Sequence, residues 1–259
     1  MRLGVNWSGQ RELPVLREVL SGSDVDFVEL LVDNFLHTDL GSIQRVLEGR
    51  DCAFHIMNSQ FLHKDIQALK VIAKLLARLS NTLKPIYISD HLGLFYLHGQ
   101  ALPQMLEVDY LEHKDLIFNQ VDIWQSMLGC KLLLENYPST IPQKRSQVGF
   151  YKALMNRVGC GLLFDVSNAV IAEKNVGEAK ENWFSILGAV HNYHIAGFEE
   201  CVNSSFLVDT HDRCIDPVTL DFLAKISNIN EVETISVERD GNFIATEWSA
   251  DIHRTRCQI

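Results

Sequence analysis

KLLLENYPSTIPQKRSQVGFYKALMNRVGCGLLFDVSN, from Lys131 to Asn168, reads as strand, helix, strand. LLLE and GLLFD are apolar runs too short for helices. VGFYKALMNRV, from Val148, sets apolar side chains three and four residues apart, which is helical spacing. Two strands joined through a helix run parallel, with a right-handed crossover. Each strand closes on a carboxylate, Glu135 and Asp165, where a buried strand usually closes on a bland turn residue.

The same unit extends in both directions. Strands are predicted at Leu3–Trp7, Phe27–Val32, Ala53–Met57, Ile86–Ser89, Lys131–Glu135, Gly161–Asp165, Tyr193–Ala196 and Ile235–Glu238. Helical periodicity marks KDIQALKVIAKLLARLSNTL from Lys64 and LEVDYLEHKDLIFNQVDIWQSML from Leu106. Asp216 before Pro217 is a cap and a first-turn proline ahead of VTLDFLAKI. Eight strand–helix repeats in 259 residues, near the ~250 usual for such a barrel, predict one TIM-type (β/α)8 barrel over residues 1–259. The segments around Gly93–Gln104 and Gly197–Arg213 are long for connections and should lie above the active face. The chain after the last strand is short, so the final helix is expected to be abbreviated.

In such a barrel the carboxyl ends of the strands converge on one pocket. Seven apolar runs here finish on metal-competent side chains: CAFHIMN (His55), IYISDHL (Asp90, His91), LLLENY (Glu135), LLFDVSN (Asp165, Asn168), NYHIAG (His194), FLVDTHD (Asp209, His211) and ISVERDG (Glu238). Any one could be a helix cap or a satisfied polar group. Seven together predict a metal centre, with more ligands than one tetrahedral ion needs. Mixed imidazole and carboxylate donors suit Fe, Mn or Zn better than Ca or Mg. Asp90 and His91 are adjacent and point to opposite sides of a strand, so His91 is expected at the metal and Asp90 behind it, orienting a ligand imidazole. Asn168 could ligate metal or hold a substrate carbonyl. Glu29, inside FVELL, could close the barrel floor or join the site. His63, His98, His113, His191 and His253 fall outside the pattern.

A formal charge of -10 disfavours nucleic acid and anionic membrane surfaces as partners. The six cysteines form no C-x-x-C pair, and no stretch approaches the ~20 apolar residues of a membrane span. A cytoplasmic protein with reduced cysteines is expected.

These segments resemble the multinuclear non-haem iron enzymes that modify cysteines in ribosomally made peptides. The resemblance rests on Ser89-Asp90-His91, Leu133-Leu134-Glu135-Asn136, the run Cys160–Asn168, His194-Ile195-Ala196-Gly197, Asp209-Thr210-His211-Asp212, and on His55 and Glu238. It implies a β/α barrel holding two or three irons, Fe(II) and Fe(III), with O2 as co-substrate. The implied metal ligands are His55, His91, Glu135, Asp165, Asn168, His194, Asp209, His211 and Glu238. Glu135, Asp165, Asp209 and Glu238 are also the catalytic candidates, and Asp90 and Asn136 stand behind the metal or at the substrate. The chain looks most like the methanobactin-biosynthesis branch. That branch turns a precursor-peptide cysteine into an oxazolone and a thioamide, and works as a heterodimer with a partner protein that helps bind the peptide. Two motifs depart from the family pattern. Glu238-Arg239-Asp240 replaces Glu-Trp-Asp, and Asp165-Val166-Ser167-Asn168 replaces Asp-Val-Asn-Asn, so different pocket neighbours are expected. A zinc phosphodiesterase, a two-metal sugar isomerase and a metal-storage subunit are the competing readings. The first two want a basic groove and carboxylate-dominated sites, respectively.

Overall fold

The computed structural model describes residues 1–259. Eight parallel strands close into a barrel: β1 (Arg2–Trp7), β2 (Phe27–Leu31), β3 (Asp51–Ile56), β4 (Ile88–His91), β5 (Leu132–Glu135), β6 (Gly161–Asp165), β7 (Asn192–Ile195) and β8 (Thr234–Val237). The ring closes where β1 pairs with β2 on one side, Gly4 opposite Phe27, and with β8 on the other, Arg2 opposite Thr234. Helices follow each strand: α1 (Leu13–Gly22), α2 (Leu40–Leu47), α3 (Ile66–Leu83), α4 (Lys114–Leu128), α5 (Gln147–Val158), α6 (Val166–Val176), α7 (Pro217–Ser227) and α8 (Ala245–Arg256). Two single-turn helices, Lys180–Trp183 and Phe184–Leu187, follow α6. No helix is long and apolar enough to cross a membrane.

Period-two alternation sorts each strand. Outward residues such as Val5, Val28, Phe54, Leu134, Phe164 and Ile235 join the helices in the main apolar core. Inward residues form a separate small cluster at the amino end, where Phe27, Ala53, Tyr87, Leu133 and Leu163 plug the floor. Gly4 admits this plug, since a Cβ there would lie 2.3 Å from the Phe27 ring. Two residues further along each strand the inward side chain becomes Glu29, His55, Ser89, Glu135 or Asp165. Asp216 caps its helix as expected, accepting from Val218 N–H at 2.9 Å, and Asp65 caps α3 by accepting from Ala68 N–H at 2.8 Å. Along α3, Leu69, Ala73, Leu76 and Leu79 are buried, each leucine worth roughly 2 kcal/mol of burial.

Three expectations need correction. The helix read from Leu106 begins only at Lys114. Leu106 and Glu107 finish a β-arm (Gly93–Leu97 paired with Gln100–Glu107), and Asp109 then turns the chain by accepting from Leu111 and Glu112 N–H. β4 starts at Ile88 rather than Ile86, so Asp90 and His91 lie inside the strand. The final helix is full length rather than abbreviated, and it packs on α1. Its buried face reads Trp248, Asp251, Ile252 and Thr255, so a charge interrupts the apolar stripe.

That charge is explained by Arg239. Its buried guanidinium meets Asp251 at 2.9 Å and Glu247 at 3.2 Å, tying the end of β8 to α8. Arg239 therefore points outward, away from the pocket. Ser167 likewise lies behind the pocket wall, donating to Ala196 C=O at 2.9 Å and accepting from its N–H at 2.8 Å. The two motif departures thus change the outer packing of the barrel, contrary to the expected change of pocket neighbours. Arg239→Met should cost about 3 kcal/mol in denaturant unfolding, because Asp251 keeps only the half-exposed Arg254 as a charged partner.

Candidate metal centre

The carboxyl ends of the strands open into a cavity of about 760 Å³. His55, His91, Glu135, Asn136, Asn168, Asp209, His211 and Glu238 line it. Asp165 and His194, fully buried, stand in its wall. Both long connections border it. The first arm contributes Gln104 and Met105, held down by the Tyr137 hydroxyl on Met105 C=O at 2.8 Å. The second arm, Glu199–Glu200 paired with Leu207–Val208, contributes Phe206, Leu207 and Val208.

Glu135 sits at the centre of the cluster. Its Oε2 lies 3.4 Å from His55 Nε2 and 3.1 Å from His91 Nε2. Its Oε1 accepts from Asn168 Nδ2 at 3.2 Å and lies 3.8 Å from His194 Nδ1. The other nitrogen of each ring fixes its proton. His91 Nδ1 faces the Ile56 carbonyl at 3.2 Å, an acceptor only, so in the neutral ring Nδ1 carries the hydrogen. His55 Nδ1 meets Ser89 Oγ at 2.8 Å, and that hydroxyl faces the Phe54 carbonyl. His194 Nε2 donates to Glu29 Oε2 at 2.9 Å. Three bare imidazole lone pairs therefore point at carboxylate oxygens. Lone pair against lone pair is repulsive unless protons or a cation lie between them.

The orphaned atoms give the same result. Glu135 Oε2, Asp165 Oδ2, Asn168 Oδ1, His194 Nδ1, Asp209 Oδ1 and His211 Nε2 are buried without hydrogen-bond partners. Native proteins leave few such atoms, and an unplaced ion is one standard reason. Two groups can converge on a cation with ligand atoms within 4.8 Å of one another: His55, Glu135 and His194, and Glu135, Asp165, His194 and Glu238. The buried cluster indicates metal binding.

Each remaining residue has a definite place. Asp165 caps α6, Oδ1 accepting from Asn168 N–H at 2.7 Å, while Oδ2 stays free for the pocket. Glu238 Oε2 is 3.1 Å from His194 Nδ1. His211 Nε2 is 2.7 Å from Asp209 Oδ1, and its Nδ1 is 3.1 Å from Asp240. His211 adopts a left-handed φ of 49°, held by its N–H on Gly197 C=O and its C=O on Asp240 N–H. Gly197 permits this, since a Cβ there would lie 2.1 Å from Arg213 C=O. Asn136 brackets the Asp165 backbone, donating to its C=O at 2.9 Å and accepting from its N–H at 2.7 Å. Asp90 does not orient an imidazole. Its carboxylate takes the Trp124 indole N–H and the His91 backbone N–H, both at 2.8 Å, so it anchors β4 to α4.

Sequence reasoning left one contributor undecided and missed two. Glu29, left between two roles, backs His194. Tyr87 donates its hydroxyl to Glu29 and had no sequence signal. Asp240 backs His211 and accepts from Asn6 Nδ2 at 2.7 Å; its two-residue spacing from Glu238 was the available clue.

The metal-free pocket neutralises itself with protons. Burial, then the charges of Glu135, Asp209 and Glu238, push Asp165 up to about 8. Burial opposes a charged His91, but Glu135 overrides it and lifts the ring to about 9. Burial and the neighbouring His91 bring His55 down to about 3, so it is neutral and ready to ligate. Burial alone would raise Glu135; the imidazoles of His91 and His194 hold it well below the usual carboxylate range.

A model of the MbnB/TglH/ChrH family of RiPP precursor modification enzymes, which act on ribosomally made, post-translationally modified peptides, matches residues 3–255. The chain belongs to that family. A UPF0276 protein of Rhizorhabdus wittichii is 30% identical over 83% of this chain and 80% of its own length. A UPF0276 protein of Caulobacter vibrioides is 32% identical over 68% of this chain and 62% of its own. Among solved structures, IolI protein with a bound zinc atom superposes with a TM-score of 0.62 at 16% identity, covering 100% of this chain and 96% of that one. A D-allulose 3-epimerase from Methylomonas sp. gives 0.68 at 11% identity over the same shares. A xylose isomerase-like TIM barrel from Mycobacterium smegmatis with magnesium gives 0.62 at 15%, over 95% and 89%. At these identities the likeness is one of fold.

Glu135→Ala removes the carboxylate shared by both groups, and metal analysis should then find almost no bound metal. His55→Ala should retain part of it. Since metal must displace the protons on His91 and Asp165, uptake should release protons and weaken as the pH falls below about 9, more steeply below about 8, read by titration in lightly buffered solution.

Proposed function

We propose that this protein is an iron-dependent, O2-consuming oxidase of a cysteine in a ribosomally made precursor peptide, of the MbnB type. One barrel domain would carry two or three irons at the carboxyl-terminal face of its strands. The observation that carries the reading is Glu135, whose two oxygens face separate imidazole sets, His55 with His91 and His194. A carboxylate so placed is built to bridge two cations. Membership of a peptide-modifying family supplies the substrate class, and the mixed imidazole and carboxylate donors favour iron. Iron held there would seat the substrate thiolate and supply the reduction of O2.

The residues of this chain do the rest. His55, His91, Glu135, Asp165, His194, Asp209, His211 and Glu238 would hold the metal. Asn168 Oδ1 is free to ligate or to accept a peptide N–H. Asp209, its side chain 23% exposed against 4% for Glu135 and 6% for Glu238, is more accessible to an incoming peptide than either of them. It is placed to take the cysteine proton. Asn6, Ser8, Leu31 and Asn34 line the β1–β2 side of the cavity and leave it uncharged apart from Glu29 and Asp240, which makes it the access route for peptide. An MbnC-like partner would complete the peptide site as a heterodimer in the cytoplasm, and the product would be an oxazolone with its thioamide.

Iron-loaded protein, co-expressed or incubated with a cysteine-containing precursor, should shift the peptide mass in air and leave it unmodified anaerobically. Modification without O2 or another oxidant, or a colourless zinc-only protein, would overturn the reading.

A further inference from the structure

The three imidazoles aimed at Glu135 differ in what stands behind them. His55 Nδ1 meets Ser89 Oγ at 2.8 Å and His91 Nδ1 meets the Ile56 carbonyl at 3.2 Å, both neutral groups. His194 Nε2 meets a carboxylate, Glu29, at 2.8 Å to one oxygen and 2.9 Å to the other. Glu29 and His194 are both fully buried, so the charge is not screened by water. A carboxylate behind an imidazole draws on its N–H proton and makes the opposite nitrogen a stronger electron donor; a carbonyl or hydroxyl does this far less.

Anionic oxygens are distributed with the same bias. Asp165, Glu238 and Glu135 converge with His194 within 4.8 Å, and His194 Nδ1, which also converges with His55 and Glu135, lies nearest Glu238, at 3.1 Å against 3.8 Å to Glu135. On the other side, His55 Nε2 and His91 Nε2 face one carboxylate oxygen, Glu135 Oε2. Oxidation of ferrous to ferric adds a positive charge, and anionic, electron-rich donors stabilise that charge best.

We propose that Glu29, acting through His194, makes the iron held with Asp165 and Glu238 the ferric one and leaves the iron at His55 and His91 ferrous. The inference rests on the iron cluster proposed above. It divides the two groups by task, since a ferrous ion is the one able to reduce O2. Glu29 is a positioning residue, and Tyr87 tunes it: the phenol hydroxyl donates to the carboxylate and draws charge away from His194.

Glu29→Gln keeps an acceptor for the His194 N–H and removes the charge. Iron stoichiometry should stay at the wild-type value. In a redox titration followed by Mössbauer spectroscopy, the ferric-to-ferrous ratio at fixed potential should fall about tenfold, a positive shift of about 59 mV for one electron. Tyr87→Phe should move the midpoint the opposite way, because Glu29 then keeps its full charge for His194. Opposite signs are not what loosened packing would give. Normal iron content with an unchanged midpoint in Glu29→Gln, or same-sign shifts in both variants, would overturn this inference alone. Wild-type protein that takes up no iron would overturn the proposed function, and this inference with it.

Discussion

A carboxylate ringed by imidazole lone pairs, with little water to separate them, cannot be stable as drawn by its hydrogen bonds alone. Glu135 is in that position, and the upper half of the barrel is arranged around it. Its backbone carbonyl is held by the Tyr151 hydroxyl, so the side chain has one direction to point. The His55 and His91 rings are turned to it by Ser89 and by Ile56. His194 is turned by Glu29 from across the barrel, a pair separated by 165 residues. Each contact fixes a ring nitrogen as donor on the far side and leaves the near side bare. The pocket is thus pre-organised for positive charge before any arrives, and without metal it borrows that charge from protons.

The rest of the molecule makes such frustration affordable. Outward side chains of the strands are apolar and locked under helices, Asp90 with its bond to Trp124 being the exception. The amino half of the interior is plugged by Phe27, Tyr87, Leu133 and Leu163. Only then does the strand pattern turn polar, two residues on. A barrel held by its hydrophobic layers can carry a ring of mutually repelling oxygens and nitrogens at one end, because the backbone there is fixed by the sheet and not by the ring.

Much of this was legible in the sequence. Strand positions follow from short apolar runs, and the inward phase of Asp165, Glu135 and His55 follows from alternation with Leu163, Leu133 and Ala53. The ligand-type strand ends were visible because they are wrong for ordinary turns. What was not legible is what a one-dimensional pattern cannot carry. Tyr87 looks like any apolar strand residue until the floor brings it to Glu29. Asp90 looked like a ligand's helper, but the strand's pleat sends it outward to Trp124. The last helix was expected to be abbreviated because the chain after the last strand is short; its buried face is also masked by Asp251, which occupies a core position that Arg239, at the end of another element, makes tolerable. The turn after the β-arm mimicked a helix since Val108 and Tyr110 are buried without being helical.

The Glu29–His194 contact has a consequence in time as well as in space. Glu29 is in the second strand to be made and His194 in the seventh, and they meet only through the interior of a closed ring. Until β8 docks between β7 and β1, nothing holds the seventh strand at its final distance from the second. A chain still emerging, or one with its last strand and helix undocked, lacks the fixed His194 and lacks Glu238 altogether. The group of Glu135, Asp165, His194 and Glu238 is therefore complete only in the closed ring.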